Sequence, residues 1–342
     1  MTRRAAVVAG LGAWVPPRIV TNGELAACLG VDEDWIVTRT GVRQRHVIAP
    51  GEATSDLAVE AGRRALASAG AAGADVVVVA TSTPDRPCPA TAPEVASRLG
   101  LAGVAAFDVA AVCAGFVYAL ATGAGLIATG TATSVLVIGA DTFSTILDPD
   151  DRTTRAVFGD GAGAVLLRSG TADEPGALHG LSLGSDGGRS ELIQVRAGGS
   201  RQRSTGLPVK PEDTYFEMQG RAAFAEAVRH MSASIGRTTE LAGWASADVD
   251  RFVLHQANLR IIAAVATRLG QPVDRFVTNI DRVGNTVAAS IPLALADGVA
   301  AGAVRPGHRV VLASFGGGLT WGSVALVWPE CRAVRPGGTD KS

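Results

Sequence analysis

The sequence predicts an α/β protein assembled from two copies of one unit, and two internal echoes carry that expectation. Residues 158–167 and 315–326 each read as a glycine loop running into an apolar strand, opening Phe158-Gly159-Asp160-Gly161 in one and Phe315-Gly316-Gly317-Gly318 in the other. Upstream, residues 56–80 and 220–255 repeat a second order: an Ala-rich amphipathic helix, a turn, then Val76-Val77-Val78-Val79 or Phe252-Val253-Leu254. Strands alternating with helices in this way predict mostly parallel sheets covered by helices on both faces.

Each element follows from its local composition. Residues 5–9 read as a first buried strand, because Gly10, Gly12 and Pro16-Pro17 interrupt the apolar region too early for a signal peptide. Trp35 and Arg39 stand four apart, a spacing that on a helix stacks a flat aromatic beside a guanidinium. The apolar run 104–109 gives way to a helix over 114–129 and a buried strand over 134–139. No charge lies between Asp108 and Asp141, but Gly123, Gly125 and Gly130 break the apolarity, so a helix wrapped by protein is expected rather than a membrane span.

Residues 169–176, polar and Gly/Pro-bearing, have the composition of a connector. The expected organisation is a first half over 1–172, a second over 173–330 and a flexible tail over 331–342. In the second half, residues 198–204 read as an exposed loop, 251–254 as a strand, and 259–269 and 288–296 as helices. With 342 residues, 47% of them hydrophobic, the chain can bury one large core or two modest ones. A net charge of −1 gives no electrostatic case for nucleic acid or an anionic membrane. The four cysteines, Cys28, Cys88, Cys113 and Cys331, form no C-x-x-C pair, and the five histidines form no metal-ligand cluster, as expected of a reduced, cytoplasmic chain without structural metal.

Cys113 carries the chemistry. It sits where the strand-like run ends and an uncharged helix opens at Ala114-Gly115-Phe116, so unpaired amides and the helix dipole favour its thiolate. Its bland alternative is an inert core thiol. Downstream, His255 in Leu254-His255-Gln256-Ala257-Asn258 occupies a strand-to-helix corner, and Asn285 in Val283-Gly284-Asn285-Thr286 precedes a helix, where an N-cap role is its alternative. Together they outline a Cys-His-Asn nucleophilic site. The Gly316-Gly317-Gly318 run serves either as a turn or as a source of N–H donors to an oxyanion. Trp35 with Arg39 suits a nucleotide base and phosphate, or a solvent-facing cation–π pair.

Taken jointly, several strings resemble the β-ketoacyl-ACP synthase III family: Phe107-Asp108-Val109-Ala110-Ala111-Val112-Cys113-Ala114-Gly115-Phe116, His255-Gln256-Ala257-Asn258-Leu259-Arg260-Ile261, Gly284-Asn285-Thr286, and residues 34–45, 158–163 and 315–322. The likeness runs in order from about residue 5 to Trp328. It implies the thiolase-like fold, five layers α-β-α-β-α from two duplicated halves, usually as a homodimer. It also implies an acyltransferase in which Cys113 takes an acyl group from acyl-CoA, with backbone N–H groups of Cys113 and Gly317 holding the oxyanion. Malonyl-ACP then decarboxylates against His255 and Asn285 and condenses with the acyl-enzyme, initiating fatty acid or polyketide synthesis.

By matched position the resemblance assigns CoA contacts to Trp35, Arg39, Arg152, Gly220 and Asn258, and docking of the acyl carrier protein to Arg260. Cys88, Phe143, Phe158 and Phe216 would shape the acyl pocket. Acyl-CoA enters as substrate, and no cofactor is permanently bound. There are departures from the family pattern. Ala225 and Val287 stand where Lys and Ser are common, and Cys88 replaces a bulky Phe that crosses the dimer interface, leaving room for primers longer or more branched than acetyl. Relatives that move acyl groups to a carrier protein or to hydroxyl or amine acceptors without decarboxylation are the main competing reading, and they often alter one of the His/Asn pair. A papain-like hydrolase shares the Cys, His, Asn order but lacks its Cys-Gly-x-Cys-Trp string here. A non-catalytic synthase partner subunit would typically lack the nucleophile that Cys113 supplies.

Overall fold

A computed structural model describes residues 4–334. Two β-sheets form its centre, and their strand orders state the duplication. The first sheet runs Ala333–Val334, Ala5–Trp14, Gly161–Gly170, Ser134–Asp141, Val76–Ala80, Ala105–Val109; the second runs Leu178–Ser185, Thr320–Val327, Arg309–Gly316, Arg251–Leu254. Counted from Ala5–Trp14 and from Leu178–Ser185, each sheet makes two antiparallel pairings and then a parallel one. Ala105–Val109 adds a further parallel strand in the first half, where the second half has a single parallel bridge between Phe252 and Phe276.

The sheets are therefore mixed, where the alternation of elements predicted mostly parallel pairing. The reason is local: the turn of residues 317–319 is far too short for the crossover a parallel neighbour needs, so Arg309–Gly316 and Thr320–Val327 must run antiparallel. Within the first half the parallel core keeps the expected character. Val76–Ala80 is buried along its whole length, as β-branched strands covered on both faces are.

Helices Thr54–Ser68 and Ala92–Arg98 cover the outer face of the first sheet, and Gly220–Leu241 and Leu259–Leu269 lie on the second half's outer side. Between the sheets lie Gly115–Ala128 and Ser290–Ala300, which touch both. These layers make the five-layered α-β-α-β-α thiolase fold. Phe116, Val117 and Leu120 are buried on the first central helix and Ile291, Leu293 and Leu295 on the second, which is why the sequence there is nearly free of charge.

The chain leaves the first sheet after Gly170 and enters the second at Leu178, on either side of the expected boundary. Residues 331–334, the first part of the expected tail, belong to the fold. Cys331 is buried, and Ala333–Val334 pairs in parallel with Leu11 and Gly12, because this short apolar segment completes the free edge of the first strand. The remainder of the expected tail, 335–342, lies outside the described residues. The expected loop 198–204 is exposed but contains the one-turn helix Ser200–Arg203.

Candidate active site

The two central helices both begin in the same unusual way. Each is preceded by a 3₁₀ turn, Val112–Ala114 or Val287–Ala289, whose first residue has a positive φ, 46° at Val112 and 52° at Val287. These are the only non-glycine residues with positive φ among the described residues. For a β-branched side chain that conformation costs on the order of 1–3 kcal/mol, so packing must hold both turns in place. They lie at equivalent points of the two halves, and they carry Cys113 and follow Asn285 respectively.

Cys113 is 9% exposed and is gripped by the second half. Ser314 Oγ donates to the Cys113 carbonyl at 2.6 Å, and Thr320 Oγ1 lies 2.9 Å from the carbonyls of Ala111 and Gly317. Gly316 passes so close that a Cβ there would stand 2.7 Å from the Cys113 nitrogen and 3.0 Å from its Cβ. Gly316→Ala is accordingly expected to displace the nucleophile and lower acylation of Cys113 by roughly 10²-fold. Stability should fall by only about 1–3 kcal/mol. Stopped-time intact mass beside a thermal melt checks both; acylation at the wild-type rate would refute the contact's importance.

The helix N-terminus was expected to favour thiolate, but burial dominates. Desolvation holds the Cys113 thiol well above its ordinary range, and the nearby Asp141 carboxylate adds to the effect. Asp141 is itself fully buried. Its oxygens accept from Ser82 N–H at 2.7 Å and Ala288 N–H at 2.9 Å, with the Thr81 and Thr83 hydroxyls at 3.3 Å, and burial lifts its pKa to about 7. It thus ties the end of Ser134–Asp141 to the turn that follows Asn285.

His255 directly follows the strand Arg251–Leu254, with its N–H bonded to Ala313 O at 2.9 Å. Burial depresses its pKa to about 3, so the imidazole is neutral. Its Nδ1 is 2.6 Å from Ser290 Oγ at the start of Ser290–Ala300. Asn285 is held by its own backbone: N–H to Val157 O at 2.9 Å, and its carbonyl accepting from Gly159 N–H at 3.0 Å. The Asn285 side-chain oxygen accepts from Val287 N–H at 2.9 Å. A backbone N–H can only donate, so the amide is oriented with oxygen toward Val287, and its NH₂ is the end left for the cavity. The capping alternative holds in part: the Asn285 oxygen caps the 3₁₀ turn Val287–Ala289 from just outside it, while the N-cap positions of that turn and of the helix Ser290–Ala300 are Thr286 and Ala289.

One cavity of about 630 Å³ is lined by Cys113, His255 and Asn285 together. The same cavity meets Trp35, Arg39, Gly220, Asn258 and Arg260, and on its apolar side Phe143, Phe158 and Phe216. Those three rings form one cluster, with centroids 4.7, 4.9 and 5.2 Å apart, packed with Cys113 and Val287. Trp35 and Arg39 lie on the expected helix, Glu33–Thr40, and Trp35 has guanidinium carbons at 5.0 Å (Arg39) and 5.8 Å (Arg152) from its ring centroid. Asn258 caps the helix Leu259–Leu269 through Arg260 N–H and donates to Arg39 O at 2.9 Å, joining the two halves at the mouth.

Three expected residues are not part of the cavity lining: Arg152, which meets the Trp35 ring, Gly317 and Cys88. Gly316, rather than Gly317, lines the cavity, and Gly317 packs toward Ile193 and Val112. Cys88 is exposed in the loop between Val76–Ala80 and Ala92–Arg98 and does not line the cavity of its own chain. Sequence reasoning missed Arg221 and Phe224 on the cavity wall, and also Asp141 and Ser290 behind the catalytic candidates. Among the described residues no group of three His, Cys, Asp or Glu side chains is arranged for a metal ion, and no helix is long and apolar enough to cross a membrane.

Two duplicated halves closing on a Cys-His-Asn cavity define a thiolase-fold acyltransferase. Family profiles described as 3-oxoacyl-[acyl-carrier-protein] synthase III and its C-terminal region match residues 107–187 and 239–328. The chain is 56% identical over 330 residues to β-ketoacyl-[acyl-carrier-protein] synthase III 5 of Streptomyces coelicolor, covering 96% of this chain and 99% of that protein. It is 55% identical to the Pseudomonas aeruginosa synthase III, covering 96% and 98%. Among solved structures, the Pseudomonas aeruginosa 3-oxoacyl-(acyl carrier protein) synthase III superposes with a TM-score of 0.89 at 53% identity, covering 96% and 99% of the two chains. A priming β-ketosynthase from a polyketide biosynthetic pathway gives 0.88 at 35%, covering 96% and 97%. The chain belongs to the β-ketoacyl-[acyl-carrier-protein] synthase III family.

Proposed function

We propose that this enzyme loads an acyl group from acyl-CoA onto Cys113 and condenses it with malonyl-ACP. The observation that carries the reading is the single cavity joining the Cys113 thiol, the His255 ring and the Asn285 amide to an apolar aromatic end and a cationic mouth. In the loading half, the thiolate attacks the acyl-CoA thioester, the backbone N–H of Cys113 and the glycine turn that enters the cavity at Gly316 and continues to Gly317 receive the oxyanion, and CoA thiolate leaves to be protonated by solvent. Trp35 and Arg39 at the mouth, with Arg152 beside the Trp35 ring, suit an adenine ring and phosphates, with Gly220 and Asn258 along the pantetheine arm. No resident cofactor is needed.

In the condensing half the malonyl carboxylate leaves as CO₂, and its bonding pair moves toward the thioester oxygen. Two uncharged donors, His255 and Asn285, suit that enolate, since no proton has to be abstracted. The carbanion forms the new carbon–carbon bond at the acyl-Cys carbonyl and expels Cys113 thiolate. Transfer to another acceptor without decarboxylation would need only the thiol. Retention of both His255 and Asn285 therefore favours condensation. Release of radiolabelled CO₂ from malonyl-ACP, dependent on an acyl-CoA primer, tests the choice; acyl transfer without CO₂ would reject it.

The partners follow from the same surfaces. Arg260 at the mouth suits an acidic carrier-protein helix. A homodimer is supported by Ala105–Val109, an edge strand whose outer side has no strand partner among the described residues. Such pairing would bring the exposed Cys88 toward the second copy's acyl pocket. We place the enzyme in the cytoplasm, at the priming step of fatty acid or polyketide assembly. With Cys88 small, butyryl-, isobutyryl- and hexanoyl-CoA are expected to acylate Cys113 at least as fast as acetyl-CoA. Intact mass after timed quenching reads this directly, and a strong preference for acetyl would overturn the pocket argument.

A further inference from the structure

We infer that Ser290 is the positioning residue that presents His255 as a hydrogen-bond donor, by giving its hydroxyl proton to the buried Nδ1 edge of the ring. The inference deepens the condensing role proposed above and rests on it. His255 lines the cavity while Ser290 does not, so the ring edge at Ser290, with Nδ1 2.6 Å from Oγ, faces away from the substrate space and Nε2 faces into it. Both residues are almost fully buried, 2% and 1% exposed. A neutral imidazole carries one proton, and the nitrogen that holds it is chosen by what the other nitrogen bonds.

Two acceptors compete for the proton of Oγ, His255 Nδ1 and the Val287 carbonyl. Gln256 N–H approaches it at 3.4 Å and can only donate. The Val287 carbonyl, 2.9 Å away, is the competing acceptor for the hydroxyl proton; it also takes the backbone N–H of Ser290, so it is not left without a donor if the hydroxyl turns away. Nδ1 is closer, at 2.6 Å, and Ser290 is its only partner among the described residues. Donation from Oγ to Nδ1 therefore satisfies the acceptor that has nothing else, and lines up Gln256 N–H, Ser290 O–H and His255 in one polarised chain. The ring proton then sits on Nε2, in the cavity that Asn285 also lines. Two neutral donors face the position of the malonyl thioester oxygen. In the opposite arrangement the hydroxyl turns to Val287 O, Nδ1 carries the proton, and Nε2 offers only a lone pair to the enolate.

The test has two parts. ¹⁵N NMR of histidine-labelled enzyme, with His255→Ala to assign the signal among five histidines, should find His255 protonated on Nε2 in the wild type. In Ser290→Ala its Nδ1 resonance should move from the hydrogen-bonded position. Loading and condensation should then separate: Ser290→Ala acylates Cys113 within about threefold of wild type, yet CO₂ release falls on the order of 10²-fold. Ser290→Thr, which restores a hydroxyl, should recover most of it. Protonation on Nδ1 in the wild type, an Nδ1 signal unmoved by Ser290→Ala, or equal losses in loading and condensation would each overturn the inference. If the wild type released no CO₂ from malonyl-ACP, the condensing role would fail, while the ¹⁵N spectra would still report what Ser290 does to the ring.

Discussion

Cys113→Ala is expected to abolish every acyl mass increment and to lower condensation by at least about 10⁴-fold, the scale on which loss of a nucleophile acts. Cys113 is the one thiol of the four that lines the cavity: Cys28 and Cys88 are exposed, and Cys331 is buried beside the tail strand. An increment that survived in the variant would have to sit on a surface thiol, and peptide mapping would locate it. The wild type should also carry a pH signature. Because desolvation and the Asp141 charge hold the thiol above its ordinary range, the loading rate should climb about tenfold per pH unit through neutrality and beyond. A plateau at or below about pH 8.5, the ordinary thiol value, would mean that the thiolate is already formed at rest.

That signature turns on a contest the sequence could pose but not decide. A helix N-terminus contributes about 0.3–1 kcal/mol in favour of a charge, less than the 1.36 kcal/mol of one pKa unit. Full burial works in the opposite direction and is larger. The placement of Cys113 at a strand-to-helix corner is a local property, legible from the apolar run and the glycine after it. Its burial depends on Ser314 and Gly316, some two hundred residues away, folding across it from the other half.

The same division runs through the rest of the molecule. Duplication was legible because each half repeats the order of its helices and strands, and the glycine loops before Gly161–Gly170 and Thr320–Val327 mark equivalent corners. Strand direction was not, because it is set by the length of a turn and by which neighbour closes the sheet. Trp35 and Arg39 were found by helical spacing, whereas Asp141 gave no signal: it ends an apolar strand, and its partners Ser82 and Ala288 come from separate segments. Ser290 is one polar residue at the head of an apolar helix, unremarkable until His255 is seen against it. The cavity-lining candidates clustered in strings; the residues bonded behind them did not.

Asn285→Ala separates the two chemical halves of the reaction. Acylation of Cys113 should remain near the wild-type rate, because that step draws on the thiol and backbone donors. CO₂ release from malonyl-ACP should fall by about 10²–10³-fold, the usual loss on deleting one donor to a developing oxyanion. The side chain also accepts Val287 N–H at 2.9 Å, and leaving that buried donor without a partner costs roughly 1–3 kcal/mol of stability. The strained turn at Val287 makes this cost specific, since φ there is 52° and the Asn285 oxygen is part of what holds it. A thermal melt therefore has to accompany the kinetics. If the melt falls and loading falls with it, the amide is a brace for the turn. If loading survives while decarboxylation is lost, the NH₂ end of Asn285 acts on the enolate oxygen, because a brace alone would not distinguish a step that makes an enolate from one that does not.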